Sequence, residues 1–150
     1  MTSSQTSKNS KEEELKMRKL DPHTLLSALW LFILLNIIFR DIHQFLLKSH
    51  LEMLLTGHYN GTPITDELML MGGFFALVII SMVLLSLLLE RRWLRPVSAF
   101  GVIFTAGSAV MAPPTDLDDT LHFGVAFCAL AAISWITWRW PDDQAMPARP

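Results

Sequence analysis

From Leu68 to Leu89 the chain runs for 22 residues without a charged side chain. A stretch that long and that apolar fits a bilayer core about 30 Å thick, which takes about 20 helical residues to cross. Thr65 stands where a helix N-cap belongs, and Asp66 and Glu67 follow where the helix dipole favours acids. Three further blocks repeat the pattern. Leu25–Phe39 is short and is expected to continue through Arg40 to about Leu47. Val97–Ala112 reaches span length with Trp93 and Leu94, and Leu121–Trp138 follows the "TDLD" stretch. The expected spans are 24–46, 67–90, 93–112 and 118–139. Lipid leaves no water for unpaired backbone groups, and four segments are too few for a barrel. The chain is therefore expected to be all-α, a four-transmembrane-helix bundle over residues 23–140.

The flanks read differently. Residues 1–22 form a polar arm expected to be disordered or a short helix, and residues 141–150 a proline-rich tail expected to be disordered. The first basic-flanked block is not followed by a small-x-small cleavage pattern, so an uncut anchor is expected rather than a leader. In the connection from Lys48 to Ile64, Ser49 and Glu52 have capping-box spacing, and Leu51, Leu54 and Leu55 share a face. This predicts a short amphipathic helix lying on the membrane surface, followed by a turn at "YNGTP". Pro113 and Pro114 end the third span, and Thr115 with Asp118 repeats the capping-box spacing.

Charge sets an orientation. The N-terminal arm, the "ERRWLRP" connection and the tail carry ten Lys and Arg residues between them, whereas the other two connections carry two. The positive-inside rule then places both termini in the cytoplasm. Trp93, Trp135, Trp138 and Trp140 fall at the same ends, as interfacial anchors should. A net charge of −2 gives no basic character for nucleic acid. The lone Cys128 excludes an internal disulfide and a cysteine-only metal cage, and reads as a small buried packing residue.

Within lipid, helices associate through close contact and hydrogen bonds. Ser98, Gly101, Thr105, Ser108 and Ala112 lie on one face of the third span, which is expected to be the central, tightly held helix. Gly124, Cys128, Ala131 and Ala132 offer a similar face, and Gly72 with Gly73 a third.

The polar residues gather at the predicted outer rim. Asn36, Arg40 and His43 share one face of the first span, with Asp41 turned about 100° from Arg40 and aligned with Gln44. Asp118, Asp119 and His122 enter the fourth span at similar height. Asp41, His43, Asp119 and His122 have the chemistry to bind a divalent metal or pass a proton. Arg40 can hold an anionic headgroup or a carboxylate. The plainer alternative is that Arg40 snorkels, the acids cap a helix and the histidines are interfacial. Asn36 lies deeper and calls for an interhelical hydrogen bond. The chain shows no nucleophile motif, HExxH, phosphate loop or CxxC. No catalytic residue and no cofactor is expected, and a metal is left open.

"LSALWLFILLNIIFRDI" (Leu26–Ile42), "LLTGHYNGTPITDELML" (Leu54–Leu70) and "ISWITWRW" (Ile133–Trp140) resemble a family of small bacterial four-span membrane proteins of unknown function. The resemblance covers about residues 24–140. "LSALW" followed by an Asp, matched by Asp41, is its most specific part, and Arg40 and His43 depart from its pattern. It implies the four-span fold and a bacterial cytoplasmic membrane. The leading expectation is a non-enzymatic accessory or scaffold protein whose partners are the lipid bilayer and a second copy or another membrane protein. The alternatives are a small oligomeric transporter or channel, and a membrane enzyme or metal-binding protein using the rim.

Overall fold

Asp21 opens the first helix: its carboxylate accepts the Thr24 N–H at 3.3 Å, and Pro22 supplies the preset φ of a first turn. The computed structural model describes residues 21–59, 61–111, 114 and 116–139. The N-terminal arm through Leu20, Ala112, Thr115, Trp140 and the 141–150 tail lie outside the described residues.

Helix α1 spans Pro22–Leu46, α2 Lys48–Leu55, α3 Asp66–Leu88, α4 Arg91–Met111 and α5 Leu117–Arg139. Helices α1, α3, α4 and α5 are each long and apolar enough to cross a membrane. Much of their surface is apolar and uncovered, including Leu70 at 75% exposure and Ile103 at 72%. Such faces need an apolar solvent, and the chain is a multi-pass membrane protein.

Local chemistry sets the helix ends. Thr65 Oγ1 accepts the Leu68 N–H at 3.3 Å and starts α3. At α5 Asp116 acts as a cap: its Oδ1 accepts the Asp119 N–H at 2.7 Å, three residues on, the reach of an N-cap. The capping pair expected of Thr115 with Asp118 rests on Thr115, which lies outside the described residues. Ser49 does not cap α2. Leu47 is extended and bonds back to Gln44 O, so α2 begins at Lys48 and places Ser49 inside the helix. Glu52 pairs with Lys48 at 3.6 Å instead. After α2, strands β1 (His58–Tyr59) and β2 (Thr62–Pro63) form a small antiparallel hairpin. Its turn uses Gly61 at φ 79°, a left-handed conformation that glycine adopts at no steric cost.

The four long helices run alternately up and down in a ring. Helix α1 packs on α3 and α5, and α4 closes the other side against the same two. The α1 and α4 backbones stand on a diagonal. Trp30, with no exposed surface, fills the middle of the ring among Leu26, Ile33, Met82, Leu94, Leu130 and Ile133. The third span is therefore not central: α1 makes the most extensive helix contacts, and a side chain occupies the axis. Ser98, Gly101 and Thr105 of α4 are buried. A Cβ on Gly101 would lie 3.0 Å from both Trp30 Cη2 and Met82 Sδ, so the bare backbone there seats the indole.

Other small residues do not pack. Gly72, Gly73 and Gly124 have nothing within 4 Å of a Cβ position, and Cys128 is exposed. The inward face of α5 is instead Ala129, Leu130, Ile133 and Thr137. Gly124 and Cys128 sit on the rows beside these. Near its start, α1 is stitched to α3: Ser27 Oγ donates to Val83 O at 2.9 Å, and His23 Nδ1 lies 2.9 Å from Ser86 O.

Candidate functional site

The polar residues of the first and last spans meet at the distal end of the bundle, opposite the Asp21 end. Asp119 is the pivot. Its side chain is only 1% exposed, and Oδ1 accepts Arg40 Nε–H at 2.8 Å and Gln44 Nε2–H at 2.9 Å. Gln44 also donates to Asp116 Oδ2 at 3.0 Å. A buried carboxylate is costly unless its lone pairs are filled by cationic and neutral donors, and here both kinds converge on it. The Arg40 guanidinium lies over the Phe123 ring, 5.2 Å from its centroid. These contacts hold α1 to α5.

One turn deeper, Asn36 and His122 form a two-point clasp. Asn36 Nδ2–H donates to the His122 carbonyl at 2.9 Å, and His122 Nδ1 lies 2.7 Å from Asn36 Oδ1. An amide oxygen only accepts, so Nδ1 carries the proton and neutral His122 keeps its lone pair on Nε2. That nitrogen faces Asp118 Oδ1 at 3.7 Å. His43 Nδ1 lies 3.1 Å from Asp118 Oδ2, and the two imidazoles meet edge to face at 5.8 Å.

The grouping differs from the one expected. The ligand-type atoms of His43, Asp118 and His122 all lie within 4.8 Å of one another. Asp119 belongs to Arg40 and Gln44, and Asp41 stands apart. The reason is rotation about α1. Asn36, Arg40 and Gln44 form one i,i+4 row facing α5, and Asp41, one residue beyond Arg40, turns away. Gln44 and Asp116 were not among the expected site residues. Their signal was there: Gln44 is four residues after Arg40, and Asp116 three before Asp119.

Asp41 instead lines a cavity of about 690 Å³ in the distal half of the ring. Its walls come from all four long helices, including Ile37, Phe75, Ile79, Phe127 and Leu130. Leu54, Tyr59 and Ile64, from α2 and the hairpin, border it at the distal end. The polar groups on its wall are few: Asn36, Arg40, Asp41, Tyr59, Thr105, Ser108 and His122. Most are already engaged. Ser108 Oγ donates to Thr105 O at 2.8 Å. Asp41 makes no hydrogen bond or ion pair among the described residues, and Thr105 Oγ1 is buried without a partner there. Trp30 Nε1 and Ser98 Oγ are likewise buried and unpartnered, deeper in the ring.

Four membrane-length helices joined by a tight basic connection, with the "LSALW" tryptophan on the axis, form a unit running almost the length of the chain. A model of a family of unknown function, DUF6326, matches residues 16–138. The chain belongs to this family. The match takes in all four long helices, the cavity and the distal polar cluster, so these are features of the DUF6326 region itself. No curated protein and no solved structure matches the chain.

Proposed function

We propose that the protein is a non-enzymatic accessory protein of a bacterial cytoplasmic membrane, with both termini in the cytoplasm, that binds an amphiphilic molecule bearing a cationic head. The orientation rests on ten Lys and Arg residues against two in alternate segments. The binding role rests on one observation: Asp41, a carboxylate with no hydrogen bond or ion pair among the described residues, stands on the wall of a mainly apolar cavity.

The volume is that of a site for a small organic molecule, and such sites combine apolar walls with a few polar groups that set orientation. Charge selects the head. Arg40 is ion-paired with Asp119 at 2.8 Å, which leaves Asp41 as the carboxylate on the wall without an ion pair among the described residues. In a low-dielectric setting that charge attracts a cation strongly. Tyr59, Phe75 and Phe127 add aromatic side chains to the lining, a residue type that suits the same partner. Binding is favoured over passage because the spans carry no charged side chain between Asp21 and Arg40, Glu67 and Glu90, Arg95 and Asp116, or Asp119 and Arg139. Coupled transport usually needs one in mid-membrane.

The test uses a matched pair of probes, tetraphenylphosphonium and tetraphenylborate, alike in shape and opposite in charge. Purified protein in nanodiscs should bind the cation in preference to the anion. Asp41→Asn should weaken cation binding at least tenfold, and Ala76→Trp, which fills the cavity, should abolish it. Equal binding of the two ions, or equal affinity of wild type and Asp41→Asn, would refute the proposal.

A further inference from the structure

We infer that His43, Asp118 and His122 form a binding site for a divalent transition metal beside the amphiphile cavity, whose wall it shares only through His122. Two imidazoles and one carboxylate are the donor set that borderline ions such as Zn²⁺, Co²⁺ and Ni²⁺ favour. The three donors come from two helices, α1 and α5, held in register by the Arg40–Asp119 ion pair and the Asn36–His122 clasp.

The clasp supplies what a metal-binding histidine needs. By accepting the Nδ1–H hydrogen bond, the Asn36 amide oxygen fixes the His122 tautomer and ring plane and leaves the Nε2 lone pair toward Asp118. Metal-ligating histidines are characteristically oriented by such a hydrogen bond through the other ring nitrogen. On the opposite side, both Asp118 oxygens face imidazoles, at 3.1 Å to His43 and 3.7 Å to His122. Ligand atoms on a tetrahedral ion with bonds of about 2.1 Å stand about 3.4 Å apart. The ligand atoms now lie within 4.8 Å of one another, and the exposed side chains are the ones with room to close the difference. His43 and Asp118 side chains are 48% and 42% exposed, while His122, at 15%, is the anchored member. The site opens to a shallow surface depression lined by His43, Leu47, Asp116, Leu117 and Asp118, which gives an ion an aqueous approach. Three protein donors leave coordination positions for water or an added ligand.

The experiment is a Co²⁺ titration of tag-free protein in detergent, followed by the visible absorption of the bound ion and by calorimetry. The expected result is one Co²⁺ per chain, displaced by Zn²⁺. His43→Ala and Asp118→Ala should each weaken binding at least tenfold, and His58→Ala, on the exposed hairpin, should leave it unchanged. Both key side chains are half exposed, so their removal leaves the buried packing in place. Absence of Co²⁺ binding, or wild type and His43→Ala titrating alike, would overturn the proposal. Neither His43 nor Asp118 lines the amphiphile cavity, so His43→Ala should bind tetraphenylphosphonium as wild type does, and the two readings fail independently.

Discussion

Replacing Arg40 with Met tests whether the distal ion pair holds the first and last spans together. The substitution keeps most of the aliphatic stem and removes the guanidinium. Asp119, 1% exposed, then retains the Gln44 amide at 2.9 Å but loses the guanidinium 2.8 Å from its Oδ1. Breaking a fully buried pair costs about 3–5 kcal/mol, because one charge is left uncompensated. Arg40 is 20% exposed, which lets water reach its side of the pair, so the expected cost lies near the low end, about 3 kcal/mol. At 1.4 kcal/mol per tenfold, that is a loss of more than a hundredfold in the folding equilibrium. Asp119→Leu alone should cost a similar amount by stranding Arg40. The double variant Arg40→Met/Asp119→Leu should recover most of the loss, since apolar packing can replace a buried pair at little cost. The assay is reversible unfolding in mixed micelles, with the coupling taken from the double-mutant cycle. Single variants within about 0.5 kcal/mol of wild type, or a double variant as unstable as the sum of the singles, would refute the reasoning.

Gly101→Val should destabilise by about 1–3 kcal/mol, because its side chain meets Trp30 and Met82, whereas Gly124→Ala, with nothing within 4 Å, should be neutral or slightly stabilising in the same assay. Cys128, exposed on an apolar helix surface, should react in folded protein with a membrane-soluble maleimide and much more slowly with a charged one. Equal rates for the two reagents would place it in water.

How legible the molecule was in its sequence varies with the kind of force involved. The α3 segment could be read directly, because 22 uncharged residues leave a chain little choice but lipid. Asn36 needs a partner, since an amide that deep is costly alone, but nothing in its sequence neighbourhood points to His122, 86 residues away. Small residues are an uneven guide to packing for a physical reason. Gly101 seats Trp30, while Gly72, Gly73, Gly124 and Cys128 meet nothing, and smallness permits close approach without saying which face a neighbour will take.

By itself, then, the sequence determined that four apolar segments form membrane-length helices, where they start and stop to within a few residues, and that charge collects at their ends. These outcomes follow from local terms: transfer of side chains to lipid, backbone satisfaction and capping. Only the tertiary structure decided that Trp30 rather than a helix occupies the axis, and that Asp119 rather than Asp41 receives Arg40. The same is true of the gathering of His43 and His122 around Asp118 and of Asp41's place on a cavity wall. Each of these depends on the rotation of one helix about its axis relative to another. A turn of 100° separates Arg40 from Asp41, and only the packed neighbours select which of them faces α5.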